Sequence, residues 1–490
     1  MSGRPPNILW YCTDQQRSDT IHTLGNKTIR TPNLDKMVEN GTAFKRAYCQ
    51  SPICTPSRAS FLTGRYPSTT HVHRNGNKHF PRDETPVTKI FADEGYNCGL
   101  IGKLHLAGAA AGQEPRTDDG YDTFEYSHHP MAPGDLSSNA YHRWLVEEKG
   151  CDPNKVCNHI DGRNAKDVPA ELHHTTWATD CAIRFIDQSD DQPWLLSVNV
   201  FDPHPPFNPP KEYLDRYPPQ DMEAPLFKPS DIARQKAFSD VSAQATEAVD
   251  PTGTLENETE FATSPTAPPK SFNGKKIKSA YYGMIELIDA QFGRLIDHLK
   301  ATGQLENTIV VFHSDHGEML GDHGLLYKGC RFFEGLVHVP LIIMWRGKFV
   351  EGLHSDALVE LVDIAPTLLE AAGIERPSSM QGKSLVDILS GRTPANFHKN
   401  VVVSEFNDAL GSNEDPRPTH ATMSFDGRYK TVVYHDMDLG EIFDLKMDPH
   451  EFDNLWNDST HSELRCKLVH QHLDSMMATS SAGIERAGRF

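Results

Sequence analysis

Side chains that can bind metal ions or anions recur directly after the apolar, strand-like segments of this 490-residue chain. Carboxylates and imidazoles can hold a divalent cation or move protons, and lysines can neutralise an anion. These residues are Asp14 after the first segment, Lys103 and His105 after the second, His204 after the third, and Asp315 and His316 after the fourth. Because ligands of open parallel sheets bind outside the carboxyl ends of the strands, we expect these residues to converge on one crevice.

A cysteine enters the same predicted crevice in the segment Cys54-Thr55-Pro56-Ser57-Arg58. Thr55 is suited to cap a helix and Pro56 to occupy its first position, so we predict a helix that runs to Gly64. Cys54 would then lie at a helix N-terminus, where backbone N–H groups favour an anion. From these residues alone it is a candidate low-pKa thiolate nucleophile. A thiolate beside carboxylates that suit a hard cation is, however, not a typical pairing.

The elements that must position these residues predict an α/β fold. Short apolar runs rich in β-branched residues alternate with helical patterns, which is typical of a mostly parallel sheet sandwiched by helices. We predict strands at 7–11, 96–101, 194–200, 308–312 and 339–345. We predict helices at 86–95, 279–300 and 363–373, from their apolar periodicity and terminal Pro and Gly residues.

The chain is long enough for a large domain with a smaller companion. After Gly391 the pattern changes to short alternating runs, so we predict a catalytic domain at 1–390 and a small antiparallel-sheet domain at 391–490. Its predicted strands are 401–404, 420–425, 429–434 and 441–445. Residues 202–278 are rich in proline and acids with little periodicity, which is typical of a functional lid or a disordered loop.

Composition excludes several classes of function. A net charge of −19 disfavours nucleic-acid binding, and an anionic substrate would have to be attracted by a local cluster of cations. No stretch approaches the roughly 20 apolar residues of a membrane span. The N-terminus has no signal-peptide pattern, so we expect a cytoplasmic protein, or a secreted or periplasmic one if a signal was trimmed. Nine scattered cysteines indicate reduced thiols.

The segment from Cys54 to Arg65 resembles the signature of the type I sulfatases of the alkaline phosphatase superfamily, in which the cysteine of CxPxR is oxidised to formylglycine. The resemblance covers most of the chain. It includes Asn7-Ile-Leu with Thr13-Asp14-Gln15, Thr31-Pro-Asn-Leu-Asp35, Gly102-Lys-Leu-His105, Asp202-Pro-His204, Ser314-Asp-His-Gly317 and Lys328. Near the end, Glu441-Ile-Phe-Asp-Leu, Asp448-Pro and Asn454-Leu resemble the family's C-terminal sheet domain. The implied fold is alkaline-phosphatase-like.

The resemblance also implies an activity, a cofactor and partners. The implied reaction is hydrolysis of a sulfate monoester, from a sulfated sugar or an aryl or alkyl sulfate, by the hydrated aldehyde of modified Cys54. One divalent cation, Ca²⁺ before Mn²⁺ or Mg²⁺, would be held by Asp14, Gln15, modified Cys54, Asp315 and His316. Implied partners are the sulfate ester and a formylglycine-generating enzyme, with no nucleic acid or membrane; a homo-oligomer stays open.

The remaining implied roles concern charge and protons. Arg58 would stabilise the aldehyde hydrate, and Lys103 and Lys328 would neutralise the sulfate as charge builds. His105 would take a proton as the sulfated intermediate collapses. His204 would protonate or hydrogen-bond the leaving oxygen.

Two residues depart from the common family pattern. Many members have Asp where this chain has Gln15, and Asn where it has His316. This combination also resembles the phosphonate monoester hydrolases and phosphodiesterases of the superfamily. The hypotheses are therefore a sulfuric ester hydrolase, a phosphonate monoester or phosphodiester hydrolase, and an inactive relative that binds anionic glycans.

Other polar residues carry weaker expectations. A group that follows the signature helix could line the pocket rim or form a surface loop, and we leave both open: His71, His73, Arg74 and His79. We expect the pairs His128-His129 and His173-His174 to lie on the surface, because adjacent side chains seldom face one site. We expect Asp322 and His323 to be structural rather than ligands.

Overall fold

The computed structural model describes residues 4–109, 112–130, 136, 138–157, 168–189, 192–253, 268–411 and 415–480. Parts of the predicted excursion (254–267) and of the predicted C-terminal domain (412–414 and 481–490) lie outside the described residues. Within the described ranges, no helix combines the length and apolarity that crossing a bilayer requires.

The β-strands follow one another along the whole described chain. In chain order they are β1 Asn7–Thr13, β2 Thr42–Phe44, β3 Ala47–Tyr48, β4 Asn97–Gly102, β5 Thr123–Tyr126, β6 Trp194–Val200, β7 Thr308–Ser314, β8 His338–Val339, β9 Leu341–Met344, β10 Leu353–Ser355, β11 Val359–Glu360, β12 Val402–Asp408, β13 Thr419–Phe425, β14 Tyr429–Tyr434 and β15 Leu439–Asp444.

The α-helices lie between these strands and after them. In chain order they are α1 Pro32–Glu39, α2 Cys54–Thr63, α3 Pro67–Thr70, α4 Val87–Asp93, α5 Ala140–Glu147, α6 Pro153–Cys157, α7 His174–Gln188, α8 Lys211–Leu214, α9 Ser230–Gln235, α10 Gly274–Ala301, α11 Glu334–Val337, α12 Ile364–Ala372, α13 Val386–Leu389 and α14 Ser462–Thr479.

Eight strands form the main sheet, in the order β10-β2-β9-β7-β1-β6-β4-β5. The strands from β7 to β5 in this order are mutually parallel, whereas β9 is antiparallel to both β7 and β2. The expected mostly parallel sheet is therefore confirmed. A separate antiparallel sheet, β12-β13-β14-β15, confirms the small C-terminal sheet, and a three-stranded sheet, β11-β3-β8, lies in addition to both.

Both faces of the main sheet are covered by apolar cores. Along β1, Ile8, Trp10 and Cys12 belong to one buried cluster, and Leu9 and Tyr11 belong to the other. Successive strand side chains point to opposite faces, so this alternation places one core on each side. The long helix α10 begins where the Asn273 side chain accepts a hydrogen bond from Lys276 N, and it packs in the same core as Leu9.

The structure corrects several predicted boundaries. The single strand predicted at 339–345 is two strands in different sheets, β8 and β9, because Pro340 between them lacks the N–H that a continuous ladder needs. Helix α10 begins at Gly274 rather than 279. Thr55 does not cap α2, since Ile53 is the capping position and Cys54 is the first helical residue.

The parallel strands end in register where the reactive residues begin. Thr13 at the end of β1 pairs with Ser314 of β7 and with Val200 of β6. Gly102 at the end of β4 pairs with Asn199 of β6. The loops after these four strands therefore start at one edge of the sheet.

Candidate active site

The carboxylates that follow β1 and β7 face a shared set of cations. Lys103 Nζ lies 2.6 Å from Asp14 Oδ2, and Arg58 Nε lies 2.8 Å from Asp315 Oδ2. Arg58 also reaches Asp14 Oδ2 at 3.5 Å. Both aspartate side chains and the Arg58 side chain are fully buried. Burial opposes ionisation of Asp14, but the positive charges around it, Lys103 foremost, hold its pKa well below the ordinary value.

Cys54 lies at the centre of this cluster, at the first position of α2. Its Sγ is 2.9 Å from Lys328 Nζ, 3.9 Å from Lys103 Nζ and 3.1 Å from His316 Nε2. Burial opposes ionisation of the thiol, but Lys103 and Lys328 outweigh it and lower the pKa of Cys54. The predicted placement at a helix N-terminus is confirmed, and the site favours an anion there.

Four side chains present a compact group of donor atoms suited to a metal ion. The donor atoms of Asp14, Cys54, Asp315 and His316 all lie within 4.8 Å of one another and are buried. His316 Nδ1 lies 2.9 Å from the carbonyl oxygen of Gly317, to which an Nδ1–H would donate, so Nε2 keeps its lone pair for a ligand. Two carboxylates with one imidazole suit a divalent cation.

The backbone of Gln15 contacts this group. Its backbone N–H donates to Asp315 Oδ1 at 3.0 Å, which holds the residue against the cluster, and its φ of 74° lies in the left-handed region that non-glycine residues rarely adopt. The side-chain nitrogen donates to Glu318. Among the residues that the structure describes, the buried Gln15 Oε1 has no hydrogen-bond partner. The donor set therefore fits a cation that completes the coordination of this oxygen.

Two neutral histidines, His105 and His204, border the cluster. His105 is buried, and its Nδ1 has no partner within the described part of the chain. His204 lies with Nδ1 2.7 Å from the Pro205 carbonyl oxygen. Burial first, and then Lys103 near His105 and Lys328 near His204, lowers both pKa values well below the ordinary one. Both imidazoles are therefore neutral in the free protein and ready to accept a proton.

These residues line a cavity of about 990 Å³ whose outer wall mixes charges of both signs. The structure brings together there Cys54, Lys103, His105, His204 and Lys328 with Arg74, Lys78, Asp408, Asp415 and Arg417. Arg74 NH1 pairs with Asp408 Oδ1 at 3.0 Å, which joins the loop after α3 to the C-terminal sheet. Arg58, Asp14, Gln15, Asp315 and His316 are buried beneath the cavity floor.

The structure decides the open question about the residues after the signature helix. Arg74 lines the cavity rim, whereas His71, His73 and His79 are not among its lining residues. His71 and His79 are exposed. The rim interpretation therefore holds for one of the four residues.

The prediction that both histidine pairs lie on the surface is wrong. His128 and His129 line the cavity, and the His128 ring centroid is 4.7 Å from that of His105, because β5 ends just before them at the edge of the site. His173 and His174 are buried at the start of α7, where His174 Nε2 lies 3.0 Å from the Ser127 hydroxyl. Sequence reasoning missed β5 and α7, and with them these positions.

Asp322 and His323 lie outside the group of donor atoms suited to a metal ion, as predicted. Asp322 Oδ2 pairs with Arg17 NH1 at 2.8 Å. The His323 ring stacks on Phe333 with centroids 4.2 Å apart.

Two buried glutamates that support the site were not among the predicted site residues. Glu114 accepts hydrogen bonds from the backbone N–H groups of His105 and Leu106, each at 2.6 Å, and thereby fixes the loop after β4. Glu318 accepts the side-chain N–H of Gln15. The only available signal was the position of Glu318, three residues after Asp315.

Family comparison agrees with this architecture. The sulfatase family model matches residues 6–374, and the model of the N-sulphoglucosamine sulphohydrolase C-terminal region matches residues 321–479. The first match spans well over half of the chain.

Individual relatives match over nearly their whole length. An arylsulfatase of Clostridium perfringens is 31% identical over 476 residues, covering 94% of this chain and 92% of the relative. The crystal structure of a phosphonate monoester hydrolase of Agrobacterium radiobacter superposes with a TM-score of 0.79 at 24% identity, covering 97% of this chain and 96% of that one. A structure in complex with its substrate D-glucosamine-2-N,6-O-disulfate has a TM-score of 0.74 at 20% identity, with 97% and 98% coverage. The chain therefore belongs to the sulfatase family of the alkaline phosphatase superfamily, a family of sulfuric ester hydrolases.

Proposed function

We propose that this protein hydrolyses sulfate monoesters of polar, sugar-like alcohols, with Cys54 converted to formylglycine as the nucleophile. The observation that carries the proposal is the position of Cys54. It lies at a buried helix N-terminus, between two lysine ammonium groups and beside a group of metal-ligand atoms. An anion that enters this point meets positive charge on several sides.

The aldehyde hydrate at position 54 supplies two hydroxyl groups on one carbon. One hydroxyl would serve as the nucleophile towards sulfur, and the alcohol would leave with a proton. Loss of the proton of the other hydroxyl would restore the aldehyde and release sulfate with the oxygen that had attacked, and water would hydrate the aldehyde again. A serine in this place would stay trapped as its sulfate ester.

Asp14, Gln15, Asp315 and His316 would hold one divalent cation, Ca²⁺ before Mn²⁺ or Mg²⁺. A cation bound there lowers the pKa of the nucleophilic hydroxyl and draws charge from the sulfate oxygens. Arg58 supports this arrangement, because it pairs with Asp315 and donates to the Lys103 carbonyl oxygen at 2.9 Å. In that place it would also stabilise the aldehyde hydrate.

Lys103 and Lys328 would neutralise the sulfate as its charge builds in the transition state. Both ammonium groups face Cys54 from the cavity side, and both side chains are buried. Charge–charge attraction is stronger between buried groups than in water, so each lysine acts where negative charge develops.

His105 and His204 would divide the proton transfers. His105, whose pKa is well below its ordinary value, is neutral and accepts the proton when the sulfated intermediate collapses. His204 is also neutral in the free protein, and the negative charge of the bound sulfate would favour its protonated form. Protonated His204 then donates to the leaving oxygen.

The cavity supports a sugar-like alcohol. Its volume of about 990 Å³ exceeds what a sulfate group alone needs, and its outer wall carries hydrogen-bonding groups of both signs, such as Arg74, Asp408 and Arg417. Such a wall suits a molecule with several hydroxyl groups rather than a flat apolar ring. The structurally similar protein with a bound glucosamine disulfate is consistent with this class.

Phosphonate monoester or phosphodiester hydrolysis is the second candidate. It is favoured by Gln15 and His316 in the ligand set and by the similarity to the phosphonate monoester hydrolase structure. Lys103, Lys328 and His105 on the cavity side favour sulfate, because two ammonium groups and a neutral base suit collapse of a sulfated aldehyde hydrate.

Paired substrates test the choice. We expect kcat/KM for an aryl sulfate or a sulfated monosaccharide to exceed that for the aryl phosphonate monoester with the same leaving group. The matched leaving group removes differences in alcohol basicity. A higher kcat/KM for the phosphonate would assign the protein to the second candidate, and equal turnover by Cys54→Ala would reject both.

A further inference from the structure

The Gln15 side chain is held by one buried carboxylate. Glu318 is fully buried, and one of its oxygens, Oε2, accepts the side-chain N–H of Gln15. The other oxygen, Oε1, accepts the backbone N–H groups of Leu320, at 3.1 Å, and Tyr327. Arg17 NH1 donates to the Glu318 carbonyl oxygen at 2.9 Å. Both ends of the Glu318 residue are therefore tied to their surroundings.

An amide has two chemically different ends, and either could face a neighbouring site. A carboxylate only accepts hydrogen bonds, so Glu318 selects the NH₂ end of Gln15 and leaves its oxygen for other contacts. The Leu320 and Tyr327 N–H groups prevent the carboxylate from turning away. The result is visible at Gln15 Oε1, which is buried and has no partner among the described residues.

We propose that Glu318 is a positioning residue that fixes the Gln15 amide with its oxygen, rather than its nitrogen, towards the cation site. The inference rests on the proposed cation site. Gln15 is a neutral ligand, so it brings no negative charge to the cation. The Glu318 carboxylate supplies a negative charge directly behind the Gln15 amide, where it polarises the amide and increases the negative charge on the Gln15 oxygen.

The substitution Glu318→Gln replaces one carboxylate oxygen of residue 318 with an NH₂ group. The remaining side-chain oxygen must accept hydrogen bonds from the backbone N–H groups of Leu320 and Tyr327, so the new NH₂ faces Gln15. Two NH₂ groups cannot bond each other, and Gln15 turns over and presents its own NH₂ to the cation site. The lone pair of an amide NH₂ is delocalised into its carbonyl and cannot bind a cation, so we expect about 10–100-fold weaker binding of Ca²⁺ or Mn²⁺.

The reciprocal double variant should restore binding. In Gln15→Glu with Glu318→Gln, the carboxylate at position 15 accepts the NH₂ of position 318 and keeps its other oxygen for the cation. We expect at least about tenfold tighter binding than Glu318→Gln alone, a non-additivity typical of groups in direct contact. Calorimetric titration of metal-depleted protein with Ca²⁺ and with Mn²⁺ measures both effects without any substrate.

A matched variant and the metal-free stability separate positioning from folding. Glu441→Gln makes the same change at a buried glutamate of the C-terminal sheet that accepts from the Tyr434 hydroxyl, and it should leave metal affinity unchanged. Thermal unfolding without metal should be similar for the wild type and Glu318→Gln. Unchanged affinity in Glu318→Gln, or a double variant no better than that single variant, overturns the inference, as does failure of both variants to fold. A wild type that binds neither ion instead refutes the proposed cation site, and the inference falls with it.

Discussion

At the scale of single residues, the folded environment of Cys54 distinguishes its thiol from that of the nearby Cys49. The residue is 1% exposed and its sulfur lies 2.9 Å from the Lys328 ammonium group. Cys49, only five positions earlier, is equally buried, but there burial raises the thiol pKa. The two thiols differ because Cys54 lies at a helix N-terminus beside cations and Cys49 does not.

Conversion of Cys54 can be read directly from a peptide. Cleavage after Arg46 and Arg58 releases a segment that contains both Cys49 and Cys54. We expect mass spectrometry to show an aldehyde, reactive to hydrazides, at Cys54 in a fraction of the molecules and an intact thiol at Cys49. Cys54→Ser should be nearly inactive where only cysteine is converted. Full activity with an unmodified thiol at Cys54 would return the site to the thiolate interpretation.

Substitution of His204 and substitution of His105 should affect catalysis in different ways. His204→Ala should slow esters of basic alcohols by about 10²–10⁴-fold and esters of activated phenols far less, because an activated phenolate leaves without a proton. His105→Ala should let the sulfated enzyme accumulate, which appears as a burst of alcohol release. Stopped-flow kinetics with one phenol and one alkyl ester measures both. Equal losses of His204→Ala on the two esters would remove its assignment to the leaving group.

At the scale of elements, the ends of four parallel strands position the residues of the candidate site, and the loop after β7 depends on a close backbone contact. Gly317 follows His316 directly, and its N–H donates to the Leu336 carbonyl oxygen at 2.7 Å. A Cβ on Gly317 would lie 1.9 Å from the Gly335 carbonyl oxygen, so one of the two segments would have to move. The loop that carries Asp315 and His316 therefore has little room to shift.

The substitution Gly317→Ala should displace the backbone of the loop that carries Asp315 and His316. We expect Gly317→Ala to lower the free energy of unfolding by about 1–3 kcal/mol and to weaken metal binding. Denaturant unfolding and calorimetric titration measure these. Gly253→Ala is the control, since the nearest atom to its Cβ would be an ordinary 3.9 Å away. A free energy of unfolding equal to that of the wild type would contradict this prediction. It would mean that the segment around Gly335 moves to accommodate the new Cβ at little cost.

Local patterns predicted the elements that carry the ligands, because those signals lie within a few residues of each other. The apolar runs before Asp14 and Asp315 and the Pro56 after Cys54 are such signals, and their elements are observed. His128 was misjudged because its position at the site comes from the pairing of β5 with β4, which its own neighbours do not encode. Asp408 reaches the cavity from a strand more than 300 residues after Arg74, a contact that no local pattern predicts.

At the scale of the whole molecule, the C-terminal helix α14 packs on the antiparallel sheet through a buried histidine. His472 Nε2 lies 2.8 Å from the Thr422 hydroxyl, and its Nδ1 lies 2.8 Å from the Ser424 hydroxyl, both on β13. Burial lowers the pKa of His472 to about 4, whereas an unfolded histidine titrates near about 6.5. The folded protein therefore holds this imidazole neutral.

The lowered pKa of His472 should make the folded protein less stable in acid. Between about pH 6.5 and about pH 4 the unfolded chain binds a proton at His472 that the folded chain does not, so the contribution is present above this window and is lost through it. The effect of this group is on the order of 2 kcal/mol once partial solvent access is discounted. Thermal unfolding as a function of pH should be flatter for His472→Gln than for the wild type. The exposed His470→Gln on the same helix should keep the wild-type slope; an unchanged slope in His472→Gln would contradict the assignment.

The complete burial of α2 has a consequence for the order of events in the cell. Every residue of this helix is buried, including Cys54 and Arg58, so an enzyme that must grip this segment cannot reach it once the chain has folded. Under the proposed mechanism, the oxidation of Cys54 to formylglycine competes with folding in each newly made molecule. A molecule that folds first retains the unmodified Cys54 thiol permanently. Purified enzyme then contains active molecules with formylglycine and inactive molecules with the Cys54 thiol. The apparent kcat should be proportional to the active fraction, and KM should not change. Slower protein synthesis should raise the active fraction, because it leaves more time for modification before folding.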